Sequence, residues 1–141
     1  MKYIEIDKSS DQFFLITLED ILVKIEPYVA DYKWSIQLID AAGNIERVLG
    51  MNMVELEKYC DDVSQGYIID FAKLMKLSKA VEDIIDILIV GCESVEDIPK
   101  AYKTENWENI CKVIISREDS SLWQLFSQDI KIMQVFKKII P

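Results

Sequence analysis

The stretch DFAKLMKLSKAVEDIIDILIVG, residues 70–91, predicts a helix that leads into a central strand. Asp70 can cap the helix by accepting a hydrogen bond from a backbone N–H of the first turn, and apolar residues recur at helical spacing as far as Val81. The run Ile84–Val90 is then too densely apolar and β-branched for a half-exposed element. We therefore expect a central strand that ends at Gly91.

One acidic residue, Asp86, interrupts this apolar run. A buried carboxylate must be ion-paired, hydrogen-bonded or neutral. The simplest explanation is that Asp86 lies on an edge strand or at the solvated end of the strand, and a catalytic role is the alternative. Because apolar runs of this length are ambiguous, one long helix from Phe71 to Val90 also stays open.

Two further strands and a last helix are predicted downstream. Apolar and polar residues alternate around residues 112–116 and again over Leu122–Ser127, and turn-forming residues occupy positions 118–121 between them. A helix with one apolar face is expected from about Asp129. Residues 93–99 are expected to form a connection or a single helical turn.

Upstream, the pattern begins with an extended piece at Tyr3–Ile6. Thr17 can then cap a helix whose apolar stripe keeps its phase beyond Pro27. Proline removes one backbone donor and crowds the preceding turn, so we expect a kink at Pro27 and not a stop.

The segment between this helix and residue 70 predicts a hairpin and a further helix. Residues 34–39 alternate as in a strand, and turn chemistry at residues 40–44 precedes a second short strand at Ile45–Val48. Asn52, followed three residues later by a glutamate, marks a helix start, and the helix is expected to end by Gly66.

The elements alternate without an internal repeat, a low-complexity tract or a Gly/Ser linker, which indicates one domain over residues 1–141. A chain of 141 residues can bury roughly two thirds of the surface that its unfolded form exposes. The sequence predicts a single α+β domain with a mixed or antiparallel sheet of about five strands packed with about four helices.

The chain is acidic, with a formal net charge of −9 at pH 7, and residues 100–141 alone are mildly basic. Phosphate backbones and anionic lipids would repel such a chain, so we expect a basic protein as partner and neither nucleic acid nor membrane. Solubility alone is the other explanation of the charge. Because no apolar run approaches the roughly 20 residues that cross a bilayer and the N-terminus is unlike a signal peptide, the expected location is the cytoplasm.

Residues that usually carry chemistry are missing or scattered. There is no histidine, no Cys-x-x-Cys pair and no glycine-rich phosphate loop, so we expect no catalytic site, no metal site and no cofactor. Cys60, Cys92 and Cys111 are far apart in apolar surroundings, and free buried thiols are expected. An enzyme that uses carboxylates alone stays an alternative, although no spacing singles out a pair.

Candidate contact residues come from exposed acids and from two tryptophans. Trp123 follows the turn at Asp119 and is assigned either to the core or to a recognition patch. Trp107 lies near Tyr102 and Glu105 in a weakly patterned stretch, where it either anchors a partner or seals the sheet. The complete candidate set is Asp61, Asp62, Glu93, Glu96, Asp97, Trp107, Asp119 and Trp123.

Three segments in the second half of the chain carry a family likeness: residues 66–71 with Leu74, residues 83–86, and residues 119–123 running into 127–129 and a lysine-bearing helix. Together they resemble bacterial immunity proteins, which neutralise polymorphic or contact-delivered toxins. The resemblance implies a role, that of a small acidic domain covering a toxin's active surface. It transfers no catalytic residue and no contact residue.

The leading hypothesis is therefore a cytoplasmic protein-binding domain, most specifically an immunity protein whose acidic surface attracts a basic toxin. A structural or self-associating subunit is the second hypothesis, and sedimentation would test it. A carboxylate-based enzyme is the third, and it requires a pocket with at least two convergent acids of raised pKa.

Overall fold

One antiparallel sheet organises the computed structural model, which describes residues 3–100 and 106–139. Its six strands are β1 (Ile4–Asp7), β2 (Lys33–Gly43), β3 (Tyr67–Ile69), β4 (Val81–Cys92), β5 (Val113–Glu118) and β6 (Leu122–Ser127). They lie in the order β1-β6-β5-β4-β2-β3, and every neighbouring pair is antiparallel. The predicted α+β class is confirmed, with one strand more than expected.

Six helices accompany the sheet in the described parts of the chain: α1 (Leu18–Ile25), α2 (Glu46–Leu49), α3 (Met53–Asp62), α4 (Phe71–Ala80), α5 (Trp107–Ile110) and α6 (Ile130–Ile139). Because α2 and α5 are single turns, the four longer helices match the number predicted. Short 3-10 turns occupy Asp11–Phe14, Glu26–Tyr28 and Val95–Asp97.

The central strand β4 is buried on both of its faces. It pairs with β2 on one side and with β5 on the other. Ile87 and Ile89 face one core, whereas Leu88 and Val90 face a second core, and all four side chains are fully buried. A strand covered on both sides has a nearly continuous apolar sequence, which is the pattern seen before Gly91. The single long helix considered from the sequence is therefore wrong.

The face of the sheet that carries Ile87 and Ile89 is covered by helices, and we call it the helix-covered face. Here α1 contacts both α4 and α6. Each helix contributes a stripe of apolar residues at helical spacing, as expected of a surface helix. The largest fully buried side chains of this core are Trp34, Trp123, Phe13 and Phe136.

The opposite face is covered by irregular chain. Ile98, Trp107 and Cys111 pack against the β4, β5 and β6 residues of the second core. We call residues 93–100 and 106–112, the described parts of this connection, the cover segment. The backbone here is held by side chains, since Gln37 Nε2 donates to Pro99 O at 2.8 Å and Gln65 Nε2 donates to Val95 O at 2.8 Å.

The predicted helix starts are confirmed. Thr17 Oγ1 accepts from Asp20 N at 3.1 Å, and Asp20 Oδ2 accepts in return from Thr17 N at 3.0 Å, which completes a capping box on α1. The same reciprocal pair joins Asn52 and Glu55 on α3. Asp70 caps α4 as expected, so local side-chain chemistry sets all three starts.

Two local predictions are wrong. The expected hairpin is not formed, because β2 continues to Gly43 through most of the expected turn and the short strand expected at Ile45–Val48 is the single helical turn α2. Strand β2 pairs instead with β3 and β4, which are distant in sequence. The helix expected to kink at Pro27 ends at Ile25 and continues as a 3-10 turn. Proline lacks the N–H that an α-helical bond would need, and the tighter turn avoids that requirement.

Asp86 does not lie on an edge strand of the sheet, although only β2 pairs with β4 at this position, since the pairing with β5 begins at Ile87. It lies in the middle of β4, is half-buried, and its Oδ1 accepts a hydrogen bond from the backbone N–H of Asp119 at 2.9 Å. The backbone N–H of Ser120 donates to Ile85 O at 2.9 Å beside it. The carboxylate thus holds the turn between β5 and β6, whose residues Asp119 and Ser120 have positive φ angles of 49° and 54°.

Two glycines with the same backbone angle provide a matched test of the α3-to-β3 connection. Gly66 and Gly50 both have a φ of +72°, but a Cβ on Gly66 would lie 2.4 Å from the carbonyl oxygen of Ile36, whereas a Cβ on Gly50 would meet nothing within 4 Å. We expect Gly50→Ala to lower the free energy of unfolding by about 1 kcal/mol, and Gly66→Ala to lower it by roughly 2 kcal/mol more, because that carbonyl belongs to β2. Urea unfolding measures both, and equal losses would contradict the close approach.

Candidate partner-binding surface

Four of the predicted acidic residues lie together at one edge of the molecule. Asp61 and Asp62 end α3, and Glu96 and Asp97 occupy the 3-10 turn of the cover segment; all four are exposed. Gln65 joins the two elements, because its Nε2 also donates to Ile98 O at 3.1 Å. The fold therefore brings together carboxylates that are more than thirty residues apart in sequence.

Glu93 differs from these four because it is paired with a cation. Its Oε1 lies 3.4 Å from Lys112 Nζ, and the same ammonium donates to Gln128 Oε1 at 3.1 Å. Lys112 is partly buried, so the pair is held within the cover segment. Glu93 contributes to holding the cover and adds little free negative charge to the edge.

Asp119 lies at the opposite end of the sheet. Its backbone N–H donates to Asp86 in the middle of β4, whereas Glu93 directly follows the end of that strand. Residues 86 and 93 are separated by roughly 20 Å at the rise of an extended strand. The predicted contact residues thus do not form one surface, and Asp119 is separate from the edge that carries Asp61 and Asp97.

Both candidate tryptophans are core residues. Trp123 is 0% exposed on the helix-covered face, and Trp107 is 6% exposed in the second core, where it belongs to the cover segment. The core alternative is correct for each side chain, and neither side chain presents a surface to a partner in this conformation. Tyr102 and Glu105, considered with Trp107, lie outside the described residues.

The structure adds a row of carboxylates that the sequence did not single out. Glu57 lies one helical turn before Asp61 on α3 and next to Asp40 on β2. Burial, reinforced by the charges of Asp40 and Asp61, raises the pKa of Glu57. Asp86 lies directly across from Asp40 in the pairing of β2 with β4. We call Asp86, Asp40, Glu57 and Asp61 the acidic row.

No lysine or arginine within residues 3–100 and 106–139 forms an ion pair with a member of the acidic row. Like charges at directly opposed strand positions and at i,i+4 helix positions are destabilising. Of these contacts, only the spacing of Glu57 and Asp61 could be recognised in the sequence. Asp40 joins the row through the pairing of β2 with β4 and the packing of α3, which no local pattern specifies.

Exposed apolar side chains accompany the acids at this edge. Tyr59, Val63 and Val95 are 40%, 36% and 38% exposed, respectively, and they lie on α3, just after it, and in the cover segment. Ile68 on the edge strand β3 is also exposed. We call the acidic edge surface the set Tyr59, Asp61, Asp62, Val63, Val95, Glu96 and Asp97.

A cavity of about 330 Å³ opens beside the acidic edge surface. Its lining includes Gln37, Cys60, Asp61 and Lys100, so it holds one carboxylate and one ammonium. Glu57, the carboxyl of raised pKa, does not line it. This cavity therefore lacks the pair of convergent acids that the carboxylate-enzyme hypothesis requires.

A second hollow, of about 510 Å³, lies at the far end of the sheet around Arg117. The guanidinium carbon of Arg117 lies 4.7 Å from the ring centre of Phe13 and 5.1 Å from that of Trp123, and burial lowers the pKa of Arg117. Aromatic faces stabilise a cation in this arrangement. Asp40 and Asp83 line the same hollow but form no ion pair with Arg117.

No family model, no curated protein and no solved structure matches the chain. Within the described residues, no helix has both the length and the apolar character that crossing a membrane requires. No group of three or more metal-ligating side chains occurs among the residues that the structure describes.

The strain in the acidic row predicts a pH-dependent gain in stability. Since the pKa of Glu57 is raised in the folded protein, ionised Glu57 opposes folding, and the folded state binds the proton more tightly than the unfolded state. We expect Glu57→Gln to raise the free energy of unfolding at pH 7 by about 0.5 kcal/mol, and this gain to shrink as the pH falls toward the ordinary pKa of glutamate and as salt rises.

Urea unfolding at several pH values measures this effect. The matched control is Glu5→Gln, which removes an exposed acid from β1, far from the row, and should give no pH-dependent gain. A Glu57→Gln variant that is less stable than the parent at pH 7 would show that this carboxylate is stabilised by its neighbours.

Proposed function

We propose that this chain is a protein-binding domain, and specifically a cytoplasmic immunity protein that neutralises a cognate toxin by binding it. The observation that carries the proposal is the acidic row beside the acidic edge surface. These carboxylates are gathered from β4, β2, α3 and the cover segment, yet no described cation pairs with Asp40, Glu57, Asp61 or Asp86.

Ionised Glu57 opposes folding, since its pKa is raised in the folded protein, and this favours a role for the carboxylate outside the fold. Folding brings Glu57 close to Asp40 and Asp61, although a neutral side chain on α3 would fill the same space without repulsion. A basic partner would supply the missing positive charge and relieve the repulsion on binding. Relief of this electrostatic repulsion would then add to the free energy of binding.

The net charge supports the same partner class. With a formal charge of −9, the chain attracts a basic protein from a distance and accelerates the encounter. Affinity also needs desolvated apolar contact, which surface charges do not provide. Tyr59, Val63 and Val95 supply that contact within the acidic edge surface, in place of the two buried tryptophans.

The decisive experiment uses the product of a neighbouring toxin gene. We expect the two proteins to copurify after coexpression, and coexpression to restore growth that the toxin alone prevents. Sedimentation of the isolated chain tests the self-association alternative in the same preparations. A monomeric chain that fails to bind the toxin or to restore growth would contradict the proposal.

Charge variants on two surfaces separate steering by the acidic edge surface from an effect of net charge. Asp61→Asn with Asp62→Asn should lower the association rate constant with the toxin about three- to tenfold at low salt and flatten its salt dependence. The control, Glu26→Gln with Asp31→Asn, removes the same charge from exposed positions around the end of α1. Stopped-flow mixing measures both rates. Equal decreases of the association rate constant in the two double variants would show that the toxin does not contact the end of α3.

A further inference from the structure

Two of the three cysteines, distant in sequence, are neighbours in the fold. Cys92 is the last residue of β4, and Cys111 directly follows α5 in the cover segment. The backbone N–H of Lys112 donates to Gly91 O at 2.7 Å, one position out of the register in which Gly91 lies opposite Val113. This shift places Cys111, the residue before Lys112, beside Cys92, the residue after Gly91, and both side chains belong to the second core.

This placement satisfies the geometry of a disulfide. Neighbouring strands lie about 4.7–4.9 Å apart, and the bond from Lys112 N to Gly91 O holds the two chains at a strand-like separation next to Cys92 and Cys111. Disulfides span Cα distances of about 4.4–6.8 Å. The pair can therefore be bridged without a large backbone movement. The third thiol, Cys60, donates to the carbonyl oxygen of Ile36 at 3.2 Å and lies in the other core.

We propose that Cys92 and Cys111 form a reversible disulfide site, which joins the two ends of the cover segment when the protein meets an oxidised low-molecular-weight disulfide such as glutathione disulfide. The bond would tie the cover to β4 and hold the second core closed. This inference is independent of the proposed toxin binding.

The chemistry proceeds by two thiol–disulfide exchanges. The thiolate of Cys92 attacks one sulfur of glutathione disulfide, which forms a mixed disulfide and releases one glutathione thiolate. The Cys111 sulfur, after losing its proton, attacks the Cys92 sulfur and releases the second glutathione. The two protein thiol protons end on the two glutathione molecules, so two protein thiols are oxidised and one glutathione disulfide is reduced.

The electrostatics indicate which thiol attacks first. The hydrogen bond from Cys111 lowers the pKa of Cys92, whereas it raises the pKa of Cys111, with burial adding to the increase. Burial raises the pKa of Cys60 to about 12. Cys92 is therefore the favoured thiolate, whereas the raised pKa values of Cys60 and Cys111 keep both of those thiols protonated. Since Cys92 and Cys111 are fully buried, glutathione disulfide reaches them only when the cover segment opens.

The test incubates the folded full chain with glutathione disulfide and follows thiol content and mass. We expect the titratable thiols, three in the reduced chain, to fall by two, with a mass loss of two hydrogens and a peptide that links Cys92 to Cys111. Dithiothreitol should restore all three thiols. The oxidised form should unfold at a higher urea concentration, because the bond constrains the unfolded chain.

Single alanine variants provide the controls. Cys60→Ala should still lose two thiols, whereas Cys92→Ala and Cys111→Ala should each stop at a glutathione adduct or remain reduced. If Cys92→Ala unfolds, the parent chain still decides the question by peptide mapping. The proposal is overturned if the parent keeps three thiols, stops at a stable glutathione adduct, or links Cys60 to either partner.

Discussion

The burial of β4 on both faces is the constraint on which the rest of the structure depends. Each fully buried branched side chain contributes about 1.5–3 kcal/mol, but only if the face to which it points is shielded from water. The helix-covered face is shielded by amphipathic helices of ordinary length. The other face is shielded by the cover segment, through Ile98, Trp107 and Cys111.

The same arrangement restricts where acidic residues can lie. Because apolar side chains occupy both faces of the central strands, the acidic residues lie at strand ends, on α3 and in the turns. Where α3 packs against β2, burial raises the pKa of Glu57, and the charges of Asp40 and Asp61 add to the increase. Helix α3 also exposes Tyr59, and Val63 directly after it is exposed. Apolar contact inside a charged rim is the usual composition of a surface that binds a protein.

The cover segment links the second core to the proposed redox chemistry. It contains little regular structure, and it is held by side-chain bonds to backbone carbonyls, by the pair of Glu93 with Lys112, and by packing of Trp107. Such a segment opens more readily than a strand, because fewer backbone hydrogen bonds oppose its release. A bond between Cys92 and Cys111 would join its two ends at the point where it leaves β4 and returns to β5.

Local patterns predicted the α+β class, the central strand and the starts of α1, α3 and α4, because periodicity and capping depend on residues close together in the sequence. The free state of the three cysteines was also predicted correctly. The sequence did not determine the partner of β2, the environment of Asp86 or the burial of the tryptophans. Those depend on contacts between residues distant along the chain.

The same distinction holds for the candidate site. The sequence identifies Asp61 and Asp97 as acidic residues, but their position on one edge follows from the packing of the fold. Packing also brings Asp40 close to Glu57 and Cys92 close to Cys111. The charge of a side chain can be known from its residue type, whereas the distance between two side chains far apart in sequence depends on how the chain packs.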